Sequence, residues 1–174
     1  LVRATRGISA GSGFATSELR CLLLQTFDAA ANMSPIVGVK LYVDDSTIIG
    51  RGTFRRVAEE VARVTHTVAM RLTRLGLEVS APKSVLVASS DALADATLAE
   101  LTDRPLIIQR QAKMLGHGCN AGRRRCVQVI KTRIKALQRR APRARRLRRI
   151  GVSAAAWART GGNPVVYGTE TMGL

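Results

Sequence analysis

The sequence predicts an α+β fold in which helices cover one face of a small antiparallel sheet. Three observations support this class: an apolar stripe at helical spacing over residues 53–75, a hairpin pattern over residues 36–49, and 46% hydrophobic against 23% charged residues. At 174 residues the chain has the length of one compact domain, or of one domain with an appended lobe. Aromatic residues make up only 3%, so Leu, Val, Ile and Ala must build the core, and nucleic-acid binding through a row of stacked aromatic rings is not expected.

The first predicted element is a helix that follows a loop of small residues, residues 7–13. Thr16 or Ser17 is placed to cap this helix, and residues 32–35 break it. Its apolar residues repeat at helical spacing: Leu19, Leu22, Leu23 and Phe27.

A short hairpin is predicted next. Residues 36–43 are rich in β-branched side chains and predict a strand, and residues 46–49 predict a returning strand. Asp44 and Asp45 fall at the turn between them, so two acidic side chains lie at the tip of the hairpin.

A long helix is predicted over residues 53–75, with Gly76 at its C-terminal cap. The stripe that predicts it consists of Val57, Val61, Val64, Val68 and Leu72. The remaining elements of this half are short: strands at 77–79 and 85–88 around a turn at 81–83, a helix over 91–101 capped by Asp91, and strands at 106–109 and 112–115.

The charge is distributed unevenly. Residues 1–100 contain 11 basic and 10 acidic residues, a net charge of +1, whereas residues 101–174 contain 17 basic and 2 acidic residues, a net charge of +15. The segment from Arg123 to Ile150 contains no acid and predicts a basic amphipathic helix that breaks at Pro142. Such a segment neutralises phosphates without sequence preference, so we expect a polyanionic partner.

Composition also bears on the cellular compartment. Three cysteines and no signal peptide argue against a disulfide framework and favour a reducing compartment. No run of 18 apolar residues is free of charge, so no membrane span is expected. We therefore expect an intracellular protein of the nucleus or cytoplasm that is not secreted, and because the chain begins at Leu1 we expect it to be the C-terminal piece of a longer protein.

The pair Asp44 and Asp45 is the strongest candidate for chemistry. Two adjacent carboxylates between apolar strands repel each other, and a divalent cation would offset that cost. Oxygen ligands suit Mg²⁺, and two such ions about 4 Å apart can activate a hydroxyl and stabilise a leaving pyrophosphate. The alternative is that Asp-Asp is an ordinary solvated turn.

Four segments together resemble reverse transcriptases. Tyr42-Val43-Asp44-Asp45 resembles the Tyr-x-Asp-Asp signature of that family, and residues 7–16 resemble its Gly-x-Pro-Gln-Gly-Ser-Pro segment. In the second segment Gly7, Gly11 and Ser12 match, whereas Ser9, Ala10 and Gly13 replace the usual Pro, Gln and Pro.

Two later segments continue the resemblance in the same order. Residues 76–84 are similar to the family's Gly-Leu-x-x-Asn-x-x-Lys-Thr segment, and residues 113–116 resemble the Tyr-Leu-Gly primer grip of non-LTR retrotransposon enzymes. The resemblance implies a partial polymerase palm over residues 1–118 and a basic, helical, thumb-like region over residues 119–174.

The resemblance also implies roles for individual residues. Asp44 and Asp45 would be catalytic and would hold two Mg²⁺ ions, with a third carboxylate outside this chain. Gly11, Ser12, Tyr42 and Lys83 would bind the deoxynucleoside triphosphate. The RNA template and DNA primer would be bound by basic side chains, namely Lys113, Arg123, Arg124, Arg125, Lys131, Arg133, Lys135, Arg139 and Arg140.

Because the family's third carboxylate precedes the Gly-rich segment, we expect this chain to be inactive by itself. Two alternatives stay open. One is a non-catalytic basic nucleic-acid-binding protein derived from a decayed mobile element. The other is an RNA-directed RNA polymerase palm, against which Tyr42 weighs, because those enzymes usually carry Gly there. The sequence does not determine the oligomeric state.

His117, Cys119 and Cys126 are zinc ligands by residue type. Their spacing fits no standard finger, and a fourth ligand is missing unless Cys21 or His66 approaches them. A zinc site is therefore not predicted.

Overall fold

The structure is a computed structural model that describes residues 13–101, 106–114, 117–121, 127–153 and 155. The chain divides into two compact units, which we call unit 1 (residues 1–86 and 90–108) and unit 2 (residues 87–89 and 109–174). In chain order the elements are α1 (Ala15–Ala31), β1 (Val37–Tyr42), β2 (Asp45–Gly50), α2 (Phe54–Arg74), a 3-10 turn (Ala81–Lys83), β3 (Val85–Leu86), α3 (Asp91–Glu100), β4 (Ile107–Ile108), β5 (Ala112–Met114), β6 (His117–Cys119) and α4 (Gln128–Arg149).

The predicted α+β class is confirmed. Within the described residues the strands form three two-stranded sheets, of which β1-β2 and β5-β6 are antiparallel. The third sheet pairs β3 with β4 in parallel. The predicted strand at 77–79 is wrong: these residues form no strand, and β3 finds its partner in β4 instead.

The core of unit 1 lies between α1, α2 and the β1-β2 hairpin. Strand residues point alternately to opposite faces, and one face of the hairpin joins the apolar stripes of both helices. Val64, in the middle of α2, is completely buried there. The other buried members of this core are Leu23, Phe27, Ala30, Val37 and Val68.

The long helix ends as the sequence predicts. Gly76 has a φ of 75°, the left-handed conformation that glycine adopts without a steric penalty. Its N–H donates to the carbonyl of Thr73, and the N–H of Leu77 donates to the carbonyl of Leu72, at 2.9 Å in each case. These two bonds are the Schellman motif, which satisfies carbonyls that the helix end would otherwise leave unpaired.

Two helix starts differ from the prediction. α1 begins after Phe14, without a side-chain cap, so the predicted caps Thr16 and Ser17 lie inside its first turn. α3 is capped by Ser90 rather than Asp91: the Ser90 hydroxyl oxygen accepts a hydrogen bond from the N–H of Leu93 at 3.2 Å. A capping residue has extended backbone angles and directly precedes the first helical turn. Ser90 meets both conditions.

α4 corrects a further prediction, because the helix runs through Pro142 instead of breaking there. Proline locks φ near the helical value, so the ring is compatible with the backbone and the cost is one lost hydrogen bond and local crowding. α4 packs against β6 and has no fully buried residue. Within the described residues, no helix combines the length and the apolar character that crossing a lipid bilayer requires.

Candidate functional site

The Tyr42-Val43-Asp44-Asp45 segment forms the predicted hairpin tip. Tyr42 and Asp45 are the last cross-strand pair of β1 and β2, so Val43 and Asp44 alone make the turn. Directly opposed residues share a face of the sheet. The phenol of Tyr42 and the carboxylate of Asp45 therefore project from the same side of the hairpin, next to the turn that carries Asp44.

The two faces of the hairpin have opposite character. Val37, Val39, Leu41 and Ile48 belong to the face that packs on the helices. The other face, which we call the outer face, carries the alternate residues of each strand. Its members are Gly38, Lys40, Tyr42, Asp45, Thr47 and Ile49. The core face thus fixes the register, and a slip by one residue would bury the acid of Asp45 and expose the apolar row.

The turn itself is strained. Val43 has a φ of 56°, and it is the only residue other than glycine with a positive φ in the described part of the chain. A β-branched side chain is a poor occupant of the left-handed region, where the Cβ crowds the backbone carbonyl. Such strain persists where the surrounding structure enforces it, and it concentrates at functional sites.

The acids at the tip are accessible. Asp44 and Asp45 are both exposed, and within the described residues no hydrogen bond or ion pair engages either carboxylate. Tyr42 beside them is 63% exposed. The carboxylates are therefore available to an external ligand.

Carboxylate oxygen is the donor type that Mg²⁺ prefers, so the two acids fit this metal in chemistry. They do not complete a site: the described residues contain no group of three or more His, Cys, Asp or Glu side chains able to hold a metal ion. A metal held here would need further oxygen ligands from the substrate, from water or from another segment.

Lys40 is a member of the outer face that the sequence interpretation did not assign to the site. It pairs with Thr47, one step along the sheet from the Tyr42 and Asp45 pair, and its side chain is exposed. No ion pair within the described residues joins its ammonium group to either acid. The sequence contained the information needed to place Lys40 there, because side chains alternate between the two faces of a strand and residues 40 and 42 therefore share one face.

The other predicted nucleotide-binding residues are not brought to the hairpin by any described interaction. Lys83 ends the 3-10 turn with an exposed side chain, and no hydrogen bond or ion pair in the described part links it to Asp44 or Asp45. Gly11 and Ser12 lie outside the described residues.

The predicted nucleic-acid-binding residues that the structure describes fall on two elements of unit 2. Lys113 is exposed on β5, and Arg123, Arg124 and Arg125 lie outside the described residues. The remaining five lie on α4, where Arg133 is half-buried and the others are exposed: Lys131, Arg133, Lys135, Arg139 and Arg140. α4 therefore carries most of the predicted basic surface that the structure describes.

Two exposed surfaces of opposite charge thus stand out, the acidic hairpin tip of unit 1 and the basic helix α4 of unit 2. Comparisons of the chain with known protein families, with characterised proteins and with solved structures found no match.

Proposed function

We propose that this chain is part of an RNA-directed DNA polymerase, in which the β1-β2 hairpin presents the catalytic carboxylates Asp44 and Asp45. The proposal rests on one observation above others: the Tyr-x-Asp-Asp segment forms a hairpin with a two-residue turn, whose core face is packed and whose tip exposes both acids. A packed hairpin holds the two carboxylates in fixed positions, as a site for phosphoryl transfer requires.

The role of the chain's own residues follows from this placement. When bound, Mg²⁺ supplies the positive charge that activates a 3′-hydroxyl and stabilises a leaving pyrophosphate. Asp44 and Asp45 would hold the ion at the hairpin tip, and the ring of Tyr42 offers a flat apolar surface beside Asp45. The described residues contain no group of three or more His, Cys, Asp or Glu side chains able to hold a metal ion, so in this proposal the pair supplies two of the acids and another segment would supply the third carboxylate.

The remaining assignments belong to the same proposal. Gly11 and Ser12 would shape the nucleotide pocket, and Lys83 would contact the triphosphate. Lys113 and the basic side chains from Arg123 onward would hold the RNA template and DNA primer through their phosphates.

A primer-extension assay tests the proposal. The chain is combined with a segment that supplies the third carboxylate and is given a primed RNA template, deoxynucleotides and Mg²⁺. We expect extension, and we expect Asp44→Asn to abolish it, because an amide cannot supply the negative charge. Extension by the Asp44→Asn variant at the unchanged rate would remove Asp44 from the mechanism.

Asp95→Asn is the matched control. Asp95 is an exposed acid on α3, so this change removes the same charge from another element of unit 1. We expect extension at the unchanged rate from this variant. Equal loss from both variants would indicate a general effect of charge or stability rather than catalysis.

A second function is favoured by α4, which contains ten Lys or Arg residues and no acid. In this alternative the protein is a non-catalytic basic module that binds nucleic acid, and the acid pair is a solvated turn. It predicts salt-dependent binding to nucleic acid and no response of any activity to Asp44→Asn. Extension in a parallel assay that contains ribonucleotides in place of deoxynucleotides would instead support an RNA-directed RNA polymerase.

A further inference from the structure

The two halves of α4 differ in how their cations are arranged around the helix axis. Successive residues of a helix are rotated by about 100° around its axis. In the first half of α4, Lys131, Arg133 and Lys135 leave a sector of roughly 160° without a cation, and this sector contains Ile130, Ile134 and Leu137. The first half of the helix is therefore amphipathic.

The second half, Arg139 to Arg149, has no such face. Its seven arginines point in directions that leave no gap wider than roughly 80° around the axis. All seven side chains are exposed: Arg139, Arg140, Arg143, Arg145, Arg146, Arg148 and Arg149. We call this half the arginine segment.

The arginine segment has no acidic neighbours to compensate it. Residues 104–169 contain no Asp or Glu, and no ion pair of the described residues involves the arginine segment. Like charges three or four positions apart destabilise a helix by about 0.2–0.5 kcal/mol per pair. A polyanion would relieve this repulsion, and the shape of the charge distribution determines which kind of polyanion fits.

A flat phosphate surface can neutralise only the cations on one side of a helix. Cations on every side need phosphates on at least two sides, and a nucleic-acid groove provides them, because a phosphate backbone runs along each edge. An α-helix with its side chains is about 10–12 Å across. The major groove of B-form DNA is about 12 Å wide, whereas the major groove of A-form RNA is too narrow for protein side chains to read.

We propose that the arginine segment lies in the major groove of B-form duplex DNA, with arginines on its opposite sides contacting the two phosphate backbones. Eleven helical residues span about 16 Å, which corresponds to roughly five base pairs. This goes beyond the proposed polymerase function, in which the same region holds a hybrid of RNA and DNA. It requires neither Asp44 nor polymerisation.

Binding of the full chain to three duplexes of one sequence tests the inference: DNA, RNA and the RNA·DNA hybrid. At about 0.15 M salt we expect the DNA duplex to bind on the order of tenfold more tightly than the RNA duplex, because only its major groove admits the helix. We also expect bound protein to protect guanine N7, which faces the major groove, from methylation by dimethyl sulfate. Equal affinity for DNA and RNA, or unprotected N7, would overturn the proposal.

Two charge-matched double variants test the opposite sides. Arg143→Gln with Arg146→Gln changes one side of the helix, and Arg145→Gln with Arg148→Gln changes the side roughly 200° away. If both sides contact phosphates, each pair weakens DNA binding by at least about tenfold and lowers the salt slope by roughly two. Loss from only one pair would show that the helix lies on the outside of the duplex.

Circular dichroism shows whether the arginine variants keep their helical structure, so that a loss of binding can be assigned to the lost charges. Gln has nearly the helix propensity of Arg, so both variants should keep the helical signal of the parent chain. Asp44→Asn should bind DNA like the parent chain. Weakened DNA binding by Asp44→Asn would contradict the independence of the two surfaces, whereas failure of the extension assay alone would leave the DNA-binding inference intact.

Discussion

Unit 1 and α4 differ in the source of their stability. All the buried apolar residues that the structure describes lie in unit 1, and α4 has none. The charge follows the same division, with a net charge of +1 over residues 1–100 and +15 over residues 101–174. Burial of apolar surface stabilises unit 1, whereas α4 carries ten basic residues, no acid and no buried residue.

The largest expected difference between unit 1 and α4 is in the free energy of unfolding that a leucine-to-alanine substitution removes. Leu23 is 4% exposed in the core of unit 1, whereas Leu147 on α4 is half-exposed. We expect Leu23→Ala to lower the free energy of unfolding by about 2–5 kcal/mol, through lost apolar contacts and the cavity left behind. Leu147→Ala should cost less than about 1 kcal/mol, because it leaves no buried cavity.

Urea denaturation followed by circular dichroism measures both variants. Similar costs for Leu23→Ala and Leu147→Ala would mean that α4 is buried against something in solution, and the contrast between unit 1 and α4 would fail.

Two glycines of the hairpin test how closely its strands pack on the neighbouring elements of unit 1. A Cβ at Gly50 would collide with a methyl group of Val61 and lie 3.0 Å from Cγ1 of Val57, whereas a Cβ at Gly38 would have only the carbonyl oxygen of Ile49, at 3.9 Å, within 4 Å. We expect Gly50→Ala to cost about 1–3 kcal/mol by forcing the strand away from α2. Gly38→Ala should change stability by no more than about 0.5 kcal/mol.

The same denaturation experiment checks this pair. If Gly50→Ala leaves the free energy of unfolding unchanged, β2 does not pack closely on α2. That result would also remove the reason for a fixed hairpin register.

A substitution of Val43 is expected to change the free energy of unfolding by less than Gly50→Ala does, and to raise it. Asn tolerates the left-handed region better than a β-branched residue, because its short polar side chain can hydrogen-bond to the local backbone. Given a left-handed penalty of about 1–2 kcal/mol, we expect Val43→Asn to raise the free energy of unfolding by roughly 0.5–1 kcal/mol. A loss of extension activity in the same variant would show that the strained turn positions Asp44 and Asp45.

The smallest expected effect is the pH dependence contributed by Glu60. Arg63 donates a 2.6 Å hydrogen bond to this carboxylate, and this bond, followed by the neighbouring Ser34 hydroxyl, lowers the pKa of Glu60 below 4.5. Ser34 Oγ forms no hydrogen bond within the described residues, so we assign the lower pKa chiefly to Arg63. Arg63 also donates to the carbonyl of Met33 at 2.9 Å and so ties α2 to the segment before β1.

Because the pKa of Glu60 is lower in the folded state, the stabilisation is present above pH 4.5 and is lost as the pH falls through the folded value. We expect the melting temperature of the parent chain to fall more steeply below pH 4.5 than that of Glu60→Gln. Both groups are solvent-accessible, so the difference should be small. Parallel pH profiles would assign no role to this ion pair.

The hairpin and the long helix could be predicted because their signals are local. The alternation of apolar residues identifies β1, the stripe from Val57 to Leu72 identifies α2, and Gly76 lacks the Cβ that would crowd a left-handed helix end. The candidate acids were found for the same reason, since a turn between two strands is read from adjacent residues. Lys40 was overlooked although the same alternation places it on the outer face.

The parallel pairing of β3 with β4 depends on residues about twenty positions apart in sequence. β6 was not predicted either, and α4 continues through Pro142, where a break was predicted. The cap at Ser90 is a local feature, because the hydroxyl accepts from the N–H of Leu93 three residues later, and it was missed although its signal lies in the sequence. A two- or three-residue strand has no periodicity of its own, and it forms only when another segment satisfies its backbone groups.

The sequence by itself determined the class of fold, the position of the acid pair and the segregation of charge, because these depend on the identity and spacing of neighbouring residues. Only the tertiary structure decided which face of the hairpin is buried against α1 and α2, that Val43 takes the strained backbone, and that Asp44 and Asp45 stay exposed. These features depend on packing between segments far apart in the chain, where the free energy of burial outweighs local preference.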